Sequence, residues 1–432
     1  MRPIQADSLQ SLDGSRPADI LVVWAWRDGV LVLPEPLQVI SWSADDNAGD
    51  SVKVSQTLSL TIADPDGTLG AWKYEDPLSV AGTRLQVIYR VGGASALNFG
   101  WFKLTGNDPD EVIQSRQVAE YGYAEPDSPV EPHKRTKYVV GGTVQLSAVD
   151  LTAGVDLDKF EAPESASGLT VLGEFARLTA NHFPTVVDAG VPDADVGPFT
   201  VWDRERLEAC QDLLARVDAG YRMGSDGECH VYPRKSAPVW RVEPGQGLVS
   251  VKRKQESDGL HNKWVVEGKD SGDGRPVRAT AAIDTGPLRY GGAFGRAPLF
   301  YSSEMITTDG QALAYAIQLR EEFLSSLAIE LAVETVPRPE LQAGDWIEVG
   351  CPVVAGHVVY LPGQITGIRR GGTTVPSGTS LTVACSYNDV VTALGRTEWA
   401  QHITGGTPAL TWDRMPGNWG DLPAVVWNDL PN

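Results

Sequence analysis

Short stretches of alternating apolar and polar residues dominate the first 150 positions of the chain. The run VSQTLSLTIA places Leu58, Leu60 and Ile62 on one face, which predicts a half-buried strand. A turn follows at DPDG (64–67), where proline fixes one backbone angle and glycine accepts the left-handed region. Similar strand and turn pairs recur, so residues 1–150 are predicted to form a barrel-like β domain with a loop insertion. The segment 125–137 is rich in proline and charged residues and is predicted to be an exposed loop.

Helical spacing replaces this alternation near residue 165. Apolar residues three apart predict a helix, and they are Leu169, Leu172, Phe175 and Leu178. A second helix is expected to begin after Asp203, a good N-cap, and to stop at Gly220. A hairpin turn is predicted at 225–227. Residues 151–240 are therefore predicted to be a small α+β insertion domain.

Strands return after residue 240, and one more helix is predicted at about 309–326, capped by Thr308 or Asp309. Its expected core face consists of Leu313, Ile317, Phe323, Leu324 and Leu327. A turn at Gly344 and Asp345 leads into further strands. Residues 241–390 thus predict an α+β region and a closing barrel-like domain, which makes the fold class mainly β with an α+β insertion.

The last residues, 391–432, lose regular periodicity and end in three similar phrases. Each phrase has a tryptophan, two mostly polar residues, Met or Leu, and a proline. The residues concerned are Trp412, Pro416, Trp419, Pro423, Trp427 and Pro431. Burying three tryptophans alone does not offset the entropy of ordering so long a peptide, so a sheet edge or groove must contribute the remainder. We interpret these residues as a partner-binding tail, with folding back onto its own subunit as the alternative.

Composition narrows the function classes. The 432 residues carry a formal net charge of -20, which opposes gripping nucleic acid or an anionic membrane but suits a wall along which DNA slides. Solubility alone is the alternative explanation. The start of the chain has no apolar core typical of a signal peptide, and ILVVWAW (20–26) is too short to span a bilayer. We therefore expect synthesis in a cytoplasm and no membrane-spanning segment.

No sequence motif predicts catalysis, a cofactor or a metal. The four cysteines are far apart and are expected to be buried free thiols, and neighbouring Cys229 and His230 would point to opposite faces of a strand. The acidic loops 43–51 and 270–275 lack the ligand order of a calcium loop, so solvated turns are expected there. A carboxylate pair assembled in space stays possible. The prediction is a non-enzymatic protein without a cofactor.

Residues 54–92 resemble the first barrel of minor tail proteins from long-tailed actinobacterial phages. The matching phrases are Asp64-Pro65-Asp66-Gly67, Asp76-Pro77-Leu78 and Gly82-Thr83. A later helix and turn are similar to the closing barrel of phage tail hubs. The matching residues there are Pro339, Leu341, Gly344, Asp345, Ile347 and Val349. The resemblance covers most of residues 18–390.

This resemblance implies a virion protein at the tail tip that forms a homotrimeric hub with two barrels per chain. It implies partners on both faces: the tail tube or distal tail protein, the tape measure protein, and tip or fibre proteins. The trimer would line the conduit through which DNA leaves, without binding it specifically.

Two other classes stay open: a tryptophan-rich carbohydrate-binding or carbohydrate-cleaving β protein, and an ordinary bacterial enzyme. Many of the tryptophans outside the tail are expected in cores rather than in a sugar site. They are Trp24, Trp26, Trp42, Trp72, Trp101, Trp264 and Trp346.

Overall fold

The fold was analysed in a computed structural model. The structure describes residues 1–8, 20–49, 52–90, 95–120, 133–167, 170–197, 199–269, 275, 277–354, 357–372 and 378–395. The strands are β1 (Ile20–Arg27), β2 (Val30–Leu31), β3 (Val39–Asn47), β4 (Gln56–Asp64), β5 (Arg84–Arg90), β6 (Ala96–Glu120), β7 (His133–Asp150), β8 (Glu164–Ser165), β9 (Thr185–Val187), β10 (Val201–Trp202), β11 (Ala219–Met223), β12 (Cys229–Pro233), β13 (Trp240–Pro244), β14 (Gly247–Lys254), β15 (Lys263–Gly268), β16 (Arg278–Ala282), β17 (Pro298–Ser303), β18 (Ala328–Thr335), β19 (Trp346–Val354), β20 (His357–Gly372) and β21 (Thr379–Ser386). The helices are α1 (Thr152–Leu157), α2 (Val171–Thr179), α3 (Arg206–Arg216), α4 (Asp309–Ser326) and α5 (Tyr387–Gly395).

One sheet of thirteen strands organises the chain, in the order β19-β13-β14-β18-β21-β20-β3-β4-β7-β6-β5-β1-β2. Because β19 also pairs with β20, the first six strands in this order close into a barrel. The remaining seven strands continue this sheet through the antiparallel pairing of β20 with β3. The predicted mainly β class is confirmed, and one barrel is closed. The second predicted barrel stays a prediction.

The N-terminal strands bury the residues that alternation assigned to the core. Leu58, Leu60 and Ile62 are buried on β4, where apolar residues from β1, β5, β6 and β7 pack against them. The predicted DPDG turn also forms: Gly67 has a positive φ, and the Asp64 carboxylate accepts the backbone N–H groups of Thr68 and Leu69. The aspartate thus closes the turn through its side chain.

The insertion after residue 150 packs its helices around a core of its own. Helix α2 forms where a helix was predicted, with Phe175 and Leu178 buried and Leu172 half-buried, while Leu169 lies outside the described residues. Helix α3 differs, because its N-cap is Glu205 rather than Asp203, and that side chain makes no cap bond. The helix ends at Arg216, and Asp218 takes the left-handed conformation, whereas Gly220 lies in β11. A short polar side chain tolerates this conformation, so no glycine was needed at the end of the helix.

The chain divides into two compact units, and residues 252–331 belong to the second. Helix α4 spans the predicted range, and Thr308 caps it by accepting the backbone N–H of Gln311. Its predicted core face is partly wrong, since Leu313 and Ile317 are exposed while Ala312 and Ala316 are fully buried. Small alanine side chains let the helix lie close to its sheet, and this turns the leucine and isoleucine outward.

A buried charge cluster inside the first unit centres on Asp345, in the turn before β19. Its Oδ1 accepts hydrogen bonds from Arg222 Nη1 at 2.7 Å and from the α-amino group of Met1 at 2.6 Å. Burial alone would raise the pKa of Asp345, yet these two positive groups hold it below its usual value. Gly344, with φ +91°, brings the turn against Tyr232, where any side chain would collide with the phenol ring.

Arg2 extends this cluster into the N-terminal sheet. The guanidinium is fully buried, donates to the carbonyl oxygens of Phe99, Pro339 and Leu341, and lies over the Phe99 ring at 4.3 Å. Burial, with repulsion from Arg370, lowers the pKa of Arg2 to about 9. Hydrogen bonds therefore hold a buried cation between strand β6 and the turn before β19.

The Asp345 cluster yields a stability prediction. Asp345→Asn removes the charge that compensates Arg222, and loss of one partner from a buried pair costs about 3–5 kcal/mol. Urea unfolding of the purified protein measures this loss. Asp45→Asn is the control, because the Asp45 and Arg369 pair is exposed and its removal should leave the midpoint unchanged. Equal midpoints for both variants would contradict the assigned role of Asp345.

A second prediction concerns the buried Glu174 on α2. Burial opposes ionisation, but hydrogen bonds from Arg177, Ser167 and Trp202 lower its pKa to about 2. The carboxylate therefore stabilises the fold above its unfolded pKa near 4.5, and this contribution is lost as pH falls toward 2. Glu174→Gln should cost about 2 kcal/mol at pH 7.

Urea midpoints measured at pH 7 and pH 3 test the Glu174 prediction. The gap between the wild-type protein and Glu174→Gln should narrow at the lower pH. A gap that is constant with pH would mean that lost packing, rather than charge, explains the difference.

Candidate functional site

The partner-binding residues predicted from the sequence lie outside the described residues. This holds for Trp412, Pro416, Trp419, Pro423, Trp427 and Pro431. Their docking role stays a prediction.

The acidic loops considered for calcium are only partly described. Asp45 pairs with Arg369 at 2.9 Å. Asp46 accepts the backbone N–H of Ala343 and lies 3.9 Å from Arg2. Both carboxylates thus face cations of the protein itself. Most of the loop at 270–275 lies outside the described residues.

All four cysteines are buried thiols, as predicted. Burial raises the pKa of Cys210 to about 12 and raises the pKa of Cys229 well above its usual value, so neither is a nucleophile near neutral pH. Cys229 and His230 lie on β12 with the thiol buried and the imidazole half-buried. The predicted structural cysteine is confirmed, whereas His230 is half-buried rather than a surface residue.

One group of potential metal ligands occurs among the described residues, at the β11–β12 turn. Asp226, Glu228 and His230 offer ligand atoms within 4.8 Å of one another. The His230 ring already faces two carboxylates, with Nδ1 3.1 Å from Asp188 and Nε2 3.6 Å from Asp226. The hydrogen bond with Asp188 orients the imidazole.

The most extended feature of the first unit is the hairpin formed by β6 and β7. The two strands pair from Phe102 opposite Asp150 to Glu120 opposite His133. Strand β4 pairs with β7 only as far as Gly142, so the outer part of the hairpin has no third strand within the described residues. We call this outer part, residues 112–120 and 133–141, the ribbon. Nine residues per strand extend about 30 Å.

The ribbon is a candidate contact surface because it exposes apolar side chains at its base. Val112 and Ile113 are 53% and 70% exposed. An isolated two-stranded ribbon is marginally stable in water, and exposed strand edges favour pairing with another chain. The sequence interpretation of 125–137 as a loop was wrong for residues 133–137, which belong to β7. Prolines and charges in that segment masked the strand.

The tryptophans outside the tail do not all lie in cores. Trp264 is buried as predicted, but Trp72 is 83% exposed. Trp26 and Trp101 are half-buried and contact each other, with ring centroids 5.9 Å apart. No helix in the described part of the chain is both long and apolar enough to cross a bilayer.

Solved structures from several bacteria align with most of this chain. The 43 kDa tail protein of prophage MuSo2 from Shewanella oneidensis aligns at 10% identity and a TM-score of 0.52, covering 84% of this chain and 97% of its own. The tail protein from Neisseria meningitidis MC58 aligns at 13% identity and a TM-score of 0.49, covering 84% and 96%.

The third structure is a type VI secretion system component of E. coli, described as structurally similar to T4 bacteriophage tail proteins. It aligns at 12% identity and a TM-score of 0.47, covering 84% of this chain and 76% of its own. No protein-family model matches the sequence, and no curated protein matches it. The likeness to the Shewanella prophage protein shows that the two chains share a fold.

The ribbon can be removed in register, which tests its independence from the body. Glu111 and Gly142 are direct partners, so replacing residues 112–141 with Asn-Gly should close a two-residue hairpin. We expect the shortened protein to keep its circular dichroism spectrum and its thermal midpoint within a few degrees, because the core lies elsewhere.

A control joins Asp110 instead of Glu111 to Gly142 through the same turn. This shifts the pairing by one residue, turns side chains of one strand to the wrong face, and should lower the midpoint strongly. Unfolding of the in-register variant would show that the ribbon belongs to the folded body.

Proposed function

We propose that this chain is a structural protein of a phage tail, acting as a homotrimeric hub at the tail tip. The observation that carries the proposal is the fold shared with the Shewanella prophage tail protein over 84% of this chain and 97% of that one. In this role the hub joins the tail tube or distal tail ring, with the tape measure protein, to tip or fibre proteins.

The ribbon supports a role in assembly. A two-stranded extension with unpaired edges gains stability when another chain covers it. Within a ring, each copy offers such an extension to its neighbour, and repeated contacts add up around a closed symmetry. The resemblance of residues 54–92 to minor tail proteins of long-tailed actinobacterial phages is in line with the same role.

The charge supports a place beside the DNA path. Each chain carries a net charge of -20, and three copies around one axis concentrate that charge. An acidic wall repels the DNA backbone and lets DNA pass without being held. The C-terminal tail, with its three tryptophan and proline pairs, would dock on a downstream tip or fibre protein.

Mass in solution tests the oligomeric part of this proposal. Light scattering after size-exclusion chromatography should give about 140 kDa, three times the chain mass of 46.5 kDa. The ribbonless variant should shift toward the monomer if the ribbon contributes to the interface. A wild-type monomer at every concentration and in assembled particles would exclude the trimeric hub.

Deleting residues 408–432 tests the docking tail. We expect the truncated chain to fold and to remain trimeric, while particles assembled with it lack density beyond the hub in negative-stain images. A matched control keeps the three prolines and replaces the three tryptophans with serine, which should reproduce the defect. Failure of the truncated chain to fold would mean that the tail belongs to the body.

A further inference from the structure

A cavity of about 640 Å³ lies within the first unit, and the proposed hub role does not use it. Its floor is formed by β1, β5 and β6, on the sheet face opposite the N-terminal core. Its walls come from the β1–β2 turn, the start of α1, residues 182–184 and the β11–β12 turn. The volume falls within the range typical of small-molecule sites.

The strand register builds the floor from two cross-strand rows. Trp26, Arg84 and Lys103 are direct partners across the three strands. The neighbouring row contains Gln86 and Trp101. Residues opposite each other in a sheet share a face, so two aromatic rings and two cations stand side by side. Alternate residues of the same strands fill the core, so the sheet positions this outer set rigidly.

The aromatic part of the floor consists of two indole rings that lie at an angle to each other. The rings of Trp26 and Trp101 meet at 55°. The turn at Gly227, with φ +87°, passes so close to Trp101 that an added side-chain carbon would lie 3.3 Å from the indole. The indole nitrogen of Trp26 is buried and has no acceptor among the described residues. A ligand oxygen or an ordered water would supply the missing partner.

Charged residues of both signs surround these two indole rings. Arg84 and Lys103 provide donors, while Asp28 and Asp226 provide acceptors. A ligand rich in hydroxyl groups matches such a lining, because each hydroxyl both donates and accepts. The weakly positive C–H face of a sugar ring also packs well on the negative face of an indole.

We propose that this cavity binds an uncharged saccharide, with Trp26 and Trp101 packing against the sugar ring. Arg84, Lys103 and Asp226 hydrogen bond to its hydroxyl groups. Single-stranded nucleic acid also stacks on aromatic rings, but its phosphates would face Asp28 and Asp226 in a chain of net charge -20. The charge balance therefore favours the neutral sugar.

Calorimetric titration of the full chain with three neutral probes, cellohexaose, maltohexaose and chitohexaose, tests the proposal. Galacturonate hexamer and a six-nucleotide thymidine strand serve as charged comparisons. We expect saturable binding of at least one neutral probe below about 10 mM, and weaker binding of both charged probes. Preferential binding of the oligonucleotide or of the charged sugar would overturn the assignment.

Matched variants locate the site. Arg84→Gln and Asp226→Asn should each weaken binding of the neutral probe at least tenfold. Arg90→Gln lies on the same strand but outside the cavity, and it should leave the affinity unchanged. Thermal unfolding of each variant checks that the fold is intact.

Affinities equal to wild type in both cavity variants, or no saturable binding of any neutral probe, would refute the proposal. The oligomeric state is measured separately, so either outcome leaves the hub proposal untouched.

Discussion

The ion pair between Asp345 and Arg222 is the constraint on which the first unit depends. It lies where the turn before β19 meets β11, and Arg2 carries the same cluster to Phe99 on β6. Segments far apart in sequence therefore meet at one buried set of charges. Such clusters contribute little net energy compared with an apolar core, but they penalise any arrangement in which one member lacks its partner. The cluster thereby selects one register for the turn.

The sequence predicted the features that depend on local spacing. Alternation located β4, helical spacing located α2 and α4, and turn chemistry located the DPDG turn and the β11–β12 hairpin. It missed features that depend on distant partners. No residue near Asp345 in the sequence indicates that it pairs with Arg222. Likewise, the sequence around Arg2 does not indicate that this side chain is buried. Burial and the choice of pairing partner are tertiary properties, and a short segment of sequence does not determine them.

The outer tryptophans show how a local signal can be misread. In VVWAWR, the alternation correctly separates Val23 and Ala25 from Trp24 and Trp26, and the small residues face the core. The tryptophans were assigned to a core because they lie in a predicted strand, and the phase of the alternation was not used. Arg84 and Gln86, the cross-strand partners of these tryptophans, are polar. Pairing of β1 with β5 was the missing information, and it becomes visible only in the fold.

The pairing of β20 with β3 has a consequence for the order of synthesis. Asn47 and its neighbours on β3 pair with Gly367 and its neighbours on β20, which follow about 320 residues later in the chain. The ribosome therefore releases the N-terminal strands long before their sheet partner exists. One edge of β3 stays unpaired during this interval, and such non-local pairing is slow and prone to aggregation. Completion of the sheet becomes a late event, so a chain truncated before β20 would carry an open edge throughout its lifetime.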